Sequence, residues 1–436
     1  MVNQDGLEWV EGTFGLEPHW TREPDTTIIT QIVQKHLQVG DNIPIDVSLE
    51  ISNAFSKLYK VSFSNSAYFF RVTLPVDPKH RTESTVANIK FMSSIPSPIS
   101  VPSVIAFSSD NSNELGFEWV LMRSFPGGPL HKAWRKMSWT EKESITRQLA
   151  QHQAQLFKHM FQKIGNLYTK DEDFVVDQLV TTIHYQGDHI TRNIVRGPFT
   201  SSHQWLKARL EGVLGDQQQI LSTSCDEDEL EDASFAHALA TQLQDLLPTV
   251  FLPHAGATEQ TALFHTGLHM HNITIGPSAH LTITDCEAIS AVPLWRAAQL
   301  PALFDERIRH DAPDKSSYAA DSDEEDDKDD DGLDNEGITD LYWEHLLEYE
   351  MTQLRKLFVA EMQKESPEWV VAMEQSVLKA NFERAVEDCD NGWRNKVVKQ
   401  WVDWLVGGEN KDLWTMLYSY PEVDQMSQTS MDWEKA

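Results

Sequence analysis

Leu263-Phe-His-Thr-Gly-Leu-His-Met-His-Asn272-Ile-Thr-Ile-Gly-Pro-Ser-Ala-His-Leu-Thr-Ile-Thr-Asp285-Cys-Glu287 is the stretch that decides the fold. Ile273 and Ile275 alternate with Thr274, and Leu281 and Ile283 alternate with Thr282 and Thr284. Period-two alternation marks half-buried strands, and Gly276-Pro277-Ser278-Ala279 supplies the turn between them. A hairpin centred near Ser278 brings Asn272 and Asp285 to its open end. An amide oxygen and a carboxylate side by side suit a hard cation such as Mg²⁺. His265 to His271 then form a loop beside that site. These histidines could also be read as a transition-metal cluster, but no cysteine or carboxylate completes one at a usual spacing.

Outward from this centre, the pattern before residue 125 is β-rich. Tyr59, Val61 and Phe63 alternate with polar residues, Ser64-Asn65-Ser66 turns the chain, and a second run spans Tyr68 to Leu74. A helix is expected at 26–38 and another at about 82–92, with short strands at 101–106 and 117–122. Residues 1–25 carry Gly, Pro and Trp without a period and are expected to lie as an arm over the fold. Past Pro126-Gly127-Gly128-Pro129-Leu130 the period becomes helical. Ser138-Trp139-Thr140-Glu141 is a capping box, and Ile145, Leu149, Leu156 and Met160 are assigned to one face behind it. The stretch 168–260 is expected to be mostly helical with polar loops, and 338–406 helical again, with Ser366 capping a helix whose first residue is Pro367.

Composition bounds the function. The chain has 436 residues, with fourteen Trp and nineteen Phe to build a core. Its 67 acidic against 36 basic residues give −31, so nucleic acid and anionic membranes are not expected as partners. No run of apolar residues is long enough to span a bilayer, and the N-terminal residues do not read as a signal peptide. Cys225, Cys286 and Cys389 lie far apart and form no CxxC pair, which suits a reducing compartment. The expected location is cytoplasmic. Residues 311–337 hold thirteen acidic residues and two lysines and are expected to be a disordered insertion, with a basic protein as a possible partner.

The ordered series of motifs resembles the protein-kinase-like fold, in its branch of aminoglycoside phosphotransferases and choline kinases. There the loop has the form H-G-D-L-H-x-x-N-I-L-V and a later strand I-I-D-W-E. Here His265, Leu268, His269, Asn272, Ile273, Asp285 and Glu287 match. The resemblance covers roughly residues 45–305. It implies an α+β, two-lobed protein-kinase-like fold: an arm and short helix at 1–39, a small β-rich N-lobe at 40–124 and a large helical C-lobe at 125–436. It implies ATP and Mg²⁺ in the cleft, a small-molecule acceptor of unknown identity, metal ligation by Asn272 and Asp285, and cofactor contacts from Arg71, Ser52, Asn53 and Met122. The catalytic positions are His265, His269 and Gly267.

This chain departs from that pattern at four places. The family's catalytic Asp falls on Gly267, which can neither accept a proton nor orient a hydroxyl. The glycine-rich loop falls on Ser52-Asn53-Ala54-Phe55-Ser56, which has no glycine. The lysine position is Arg71, which keeps the charge but not the geometry. The helix Glu falls on Thr85, with Glu83 two positions away. The expectation is a degenerate member that binds Mg-nucleotide and turns over poorly. The alternatives are an active O-phosphotransferase that uses another group, such as His269, and a non-catalytic interaction protein that uses the acidic stretch.

Overall fold

The computed structural model describes residues 3–12, 15–252, 258–318, 338 and 340–418. The chain opens with strands β1 (Leu7–Gly12) and β2 (Gly15–Trp20), paired antiparallel, and helix α1 (Thr26–Leu37). Next come β3 (Asp46–Ser52), β4 (Ser56–Phe63), β5 (Ser66–Thr73), α2 (His80–Ser94), β6 (Val104–Ser108) and β7 (Glu118–Arg123). Five of these strands form one antiparallel sheet in the order β3-β4-β5-β7-β6. The tight turn between β4 and β5 holds Ser64 and Asn65 at positive φ, 45° and 64°, the twist that a two-residue hairpin loop needs.

Alternation along β7 explains how the sheet is covered on both faces. Trp119 and Leu121 join Tyr59, Val61, Phe70 and Val72 against Ile29, Ile32 and Val33 of α1. Val120 and Met122 point the other way, into the core that holds Val86, Ala87 and Ile89 of α2. Helix α1 therefore belongs to the N-lobe and not to a separate arm. The residues ahead of it are a hairpin rather than an arm without regular structure. Leu7, Trp9 and Trp20 pack with Leu74, Val76 and the C-lobe residue Tyr185, so the hairpin touches both lobes.

The C-lobe begins with β8 (Gly128–Pro129), α3 (Leu130–Trp134) and α4 (Trp139–Lys158). The capping box is present at the start of α4: the Glu141 amide donates to Ser138 Oγ at 3.3 Å, and the Ser138 amide donates to Glu141 Oε2 at 2.8 Å. Helix α4 stops at Lys158, so Met160 is not on its face. It lies in β9 (Met160–Phe161), pairs with Ala262 and is 44% exposed. Strands β10 (Asn166–Lys170) and β11 (Asp173–Asp177) form a hairpin where helix was expected. Its turn residues, Asp171 and Glu172, adopt positive φ of 51° and 71° without a glycine or asparagine to announce them.

Helices α5 (Ser202–Thr223) and α6 (Glu227–Val250) follow, then β12 (Thr261–His265), β13 (Ile273–Ile275), β14 (Leu281–Ile283), β15 (Ile289–Pro293) and α7 (Leu294–Ala297). Helices α8 (Asp340–Glu365), α9 (Pro367–Gln375), α10 (Val377–Asp388), α11 (Asn395–Val406) and α12 (Leu413–Tyr418) complete the lobe. Two cores result. One lies around α4, α8 and β12–β15 and is continuous with α2. The other joins α5, α6, α10 and α11 around Trp295, Phe382 and Trp401. Trp404 is only half-buried, beneath the Lys411 ammonium at 4.6 Å. Ser366 donates its hydroxyl to Glu368 Oε1 at 2.6 Å and does not cap the α9 amides.

The acidic stretch divides into two parts. Residues 319–337 lie outside the described residues. Residues 311–318 are ordered enough to form a 3₁₀ turn at Lys315–Tyr318, and the Tyr318 hydroxyl lies 2.7 Å from His345 Nδ1 on α8. Disorder is therefore not what residues 311–318 show, and the rest of the expected insertion falls outside the described residues.

The N-terminus of α2 rests on Glu118, 1% exposed, whose Oε1 accepts from the Lys79 amide at 2.5 Å. Burial pushes this carboxyl from 4.5 up to about 7. Because its pKa in the fold lies above the unfolded value, its contribution to stability is complete in acid and is lost as pH rises through about 7. Glu118→Gln keeps an oxygen acceptor and removes the titration. The expected outcome is a shallower fall in melting temperature between pH 5 and pH 8 than in the wild type, checked by thermal denaturation across that range. The difference in stability should reach about 3 kcal/mol at most.

Candidate functional site

The hairpin β13–β14 has the register Thr274↔Thr282, which centres it on Ser278 as the sequence predicts. The Thr284 amide donates to the Asn272 carbonyl at 2.9 Å, so Asn272 and Asp285 do flank its open end. Strand β8 pairs with β13 of the same hairpin. Gly127, at φ +127°, approaches so closely that a Cβ there would fall 2.4 Å from the Ile275 carbonyl oxygen, and only glycine fits.

The loop before the hairpin is braced at both ends. His265 is buried, and its Nε2 donates to the Asp285 carbonyl at 2.8 Å; its Nδ1 has no partner among the described residues. Burial holds its pKa below the usual value, so the ring is a neutral strut between loop and strand. Asn272 Nδ2 donates to the Gly267 carbonyl at 2.8 Å and lies 3.3 Å from His269 Nε2. That arrangement leaves Asn272 Oδ1 as a hard oxygen donor. His269 is half-buried, and burial followed by the neighbouring His271 lowers its pKa. The His271 ring stacks on His131 at 4.2 Å. Among the described residues no group of three or more His, Cys, Asp or Glu could hold a metal ion, so the histidine-cluster reading gains no support. Gly267 has an ordinary backbone conformation, and a Cβ there would lie 3.2 Å from the Ala288 Cβ. The position can carry a side chain once that neighbour gives by a few tenths of an ångström.

Across the cleft, Arg71 on β5 meets the acidic pair. Its Nη1 is 3.9 Å from Asp285 Oδ1, and its Nη2 pairs with Glu287 Oε1. Nη2 also donates to Ser56 Oγ at 3.2 Å. Burial works against a charge on Asp285, yet Arg71 and the Glu287 amide outweigh it and hold the carboxyl below its usual range. The second oxygen of Glu287 is taken by Arg81 in the first turn of α2, with Arg81 Nε at 3.1 Å. Burial opposes the charge on Arg81, but Glu287 outweighs it and holds the guanidinium above its usual pKa. The arginine pair and their carboxylate are each about nine-tenths buried.

The helix acid expected near Thr85 is not part of this site. Thr85 donates to its own helix at the Arg81 carbonyl, and Glu83 accepts from Ser109 at 3.0 Å. Sequence reading missed Arg81. The available signal was a basic residue in the first turn of a helix, where the macrodipole disfavours it unless an acid compensates.

The loop between β3 and β4 is closed on itself. Asn53 Oδ1 accepts from the Phe55 amide at 3.0 Å, the Ser56 amide at 2.7 Å and the Ser56 hydroxyl at 3.2 Å. The amides that a phosphate would use are therefore already bonded. Phe55 lies 4.6 Å from the Arg81 guanidinium and meets Tyr185 of the C-lobe edge to face at 6.2 Å. Ser52 is exposed at the end of β3, and Met122 is buried in the core shared with α2.

On the C-lobe side a cavity of about 690 Å³ opens from Thr266, Glu287 and Ser290 toward α5 and α10. Glu383 stands in its wall between Arg209 at 2.7 Å and Arg296 at 3.3 Å. Burial opposes its ionisation, but Arg296 and Arg209 hold its pKa below the usual range. The Arg296 guanidinium also packs on the Phe264 ring at 4.8 Å.

No protein-family model matches the chain. It is 28% identical over 167 residues to a subtelomeric hrmA-associated cluster protein of Aspergillus fumigatus, over 35% of this chain and 33% of that protein. It is 29% identical over 139 residues to altered inheritance of mitochondria protein 9, mitochondrial, of Meyerozyma guilliermondii, over 30% of this chain and 22% of that protein. The matched stretch thus spans about a third or less of these relatives' length. Among solved structures the chain is similar to an aminoglycoside phosphotransferase in its gentamicin complex, with TM-score 0.46, 11% identity, and coverage of 90% of this chain and 99% of that one. It is also similar to a fructosamine-3-kinase of Haemophilus somnus, with TM-score 0.38, 12% identity, and coverage of 80% and 95%. The two-lobed α+β architecture is that of the fold described above. No helix among the described residues is long and apolar enough to cross a membrane.

Removing the Glu287 charge should strand two buried arginines. Glu287→Gln is expected to lose roughly 3–5 kcal/mol of stability, measured by urea denaturation, while Glu83→Gln, on the helix that carries Arg81, should change it far less.

Proposed function

We propose that this chain is a degenerate member of the ATP-dependent small-molecule phosphotransferases, one that holds Mg-nucleotide in the cleft and turns over poorly. The observation that carries the reading is the loop at Gly267. Asn272 and His265 stand beside that position, and Gly267 offers them no carboxylate, which supports a loop that has lost its base. A general base is worth ~10²–10⁴ in rate. Phosphoryl transfer leans mainly on positioning and on charge, so its loss predicts slow chemistry rather than none.

The donor set fits a hard cation. Asp285 is held ionised by Arg71, and the Asn272 amide nitrogen is engaged so that its oxygen is free. With nucleotide bound, Mg²⁺ would supply charge neutralisation for the phosphates, and Asp285 and Asn272 are the residues that would hold it. Arg71 sits beside them as the cation for a phosphate oxygen. The Ser52–Ser56 loop fits less well, since Asn53 already occupies its amides. The cavity of about 690 Å³ is the place for an acceptor hydroxyl. The setting we read is the cytoplasm, which fits three cysteines that are all free.

A fully active enzyme with His269 as base is less favoured, because its Nε2 already faces the Asn272 amide. An interaction role for the acidic stretch rests on residues 319–337, outside the described residues.

Calorimetric titration with ATP, with and without Mg²⁺, tests the reading. Mg-dependent binding is expected, with the Mg²⁺ dependence lost in Asp285→Asn. Gly267→Asp should raise phosphotransfer or ATP hydrolysis by about tenfold or more. Absence of binding at millimolar ATP would reject the nucleotide role. An unchanged rate in a Gly267→Asp variant that binds ATP would reject the missing carboxylate as the main lesion.

A further inference from the structure

A second cavity, of about 340 Å³, lies behind the wall of the first, and the two share Thr266, Arg296, Asp305, Glu383 and Arg384. Its size is within the range of small-molecule sites. Its lining is more apolar than that of its neighbour: Phe264, Leu300, Phe304 and Met373 form the wall, and Ile308 and Val377, 51% and 46% exposed, stand at the rim. Exposed aliphatic residues around an apolar hollow lose water when an apolar body enters.

Three arginines, Arg296, Arg355 and Arg384, and three carboxylates, Asp305, Glu383 and Asp412, also line this hollow. Glu383 is engaged by Arg209 and Arg296. Asp412 caps α12 by accepting from the Thr415 amide at 3.0 Å and its hydroxyl at 2.6 Å. Asp305 is exposed. Arg355 on α8 differs. Its Nε donates to the Phe304 carbonyl at 2.6 Å and its Nη2 to the Glu306 carbonyl, and it packs near the Trp414 ring at 5.4 Å. Among the described residues no carboxylate forms an ion pair with it, and Nη1 is left without a protein acceptor. Burial lowers its pKa even though Asp305 and Glu306 oppose the effect. A guanidinium with one free edge beside an apolar wall calls for a planar anion with an apolar body.

We propose that this second cavity binds the carboxylate end of an apolar small molecule, a medium-chain fatty acid or a ligand of the same chemistry, with Arg355 on the carboxylate and the chain along Phe264, Phe304 and Met373. The assignment does not depend on nucleotide binding or on catalysis.

Isothermal titration of the full chain with octanoate, 1-octanol and octylamine tests it. Octanoate should bind, and octanol and octylamine should bind roughly tenfold more weakly or worse, the worth of one charge-assisted hydrogen bond. Arg355→Gln should weaken octanoate by about the same factor. Because Arg355 also holds two carbonyls, a second variant, Ala380→Phe, fills the hollow from α10 and should abolish octanoate binding in a protein that still melts cooperatively. No octanoate binding at millimolar concentration, equal binding of octylamine, or undiminished binding in Ala380→Phe would each overturn the proposal. ATP titrated into the same samples separates the two readings. Octanoate failing where ATP binds removes only the second cavity, and ATP failing where octanoate binds removes only the nucleotide role.

Discussion

Glu287, with one oxygen on Arg71 and the other on Arg81, is the interaction on which the arrangement of the lobes depends. Arg71 comes from the N-lobe sheet, Arg81 from α2 and Glu287 from the C-lobe strand end. One carboxylate therefore joins three parts of the chain. Three long side chains removed from water would be costly separately, and they are tolerable only because each charge meets its opposite. Helix α2 is tied to the same strand end by Asn88, whose amide donates to the Cys286 carbonyl at 2.9 Å and the Ile289 carbonyl at 3.2 Å. Ser84 adds a contact from Asn166 at 3.1 Å. The helix is thus held by the C-lobe as firmly as by the sheet it covers.

That clamp changes the charge pattern expected of the cleft. The resemblance implies a base on the strand and an acid on the helix. Here the strand has its base, Arg71, the helix carries a second, Arg81, and the acid between them comes from the opposite lobe. A positive charge in the first turn of α2 is bearable because Glu287 faces it. Arg71 and Asp285 still face each other across the cleft, 3.9 Å apart. Phe55 lies on Arg81, and Asn53 has folded the nearby amides onto itself. The charges of the cleft thus stand beside a loop whose Phe55 and Ser56 amides are engaged within the loop itself.

Local sequence rules recovered most of the scaffold because local chemistry dictated it. The β13–β14 hairpin, the β4–β5 turn, the capping box at Ser138 and the helix at Thr26–Leu37 all follow from patterns within a few residues. The failures have a shared cause. The β10–β11 turn uses Asp171 and Glu172 in a conformation that their identities do not advertise. Met160 fits a helical period, but the chain leaves the helix two residues earlier to pair with β12. Arg81, Phe55 and Tyr185 converge from positions far apart in sequence, and nothing local links them. That Asn272 and Asp285 flank the hairpin's open end was legible because the spacing around Ser278 carries that geometry, whereas Gly267 was singled out only by the family resemblance.

Tyr318 ties its own segment to α8. Its hydroxyl meets His345, and its ring meets Tyr342 at 5.7 Å, both near the start of α8. The residues on either side of the acidic stretch are therefore pinned together by an aromatic clasp. The clasp holds Tyr318 against the first turns of α8, so the approach of these two chain segments is set by their own aromatic and hydrogen-bond contacts.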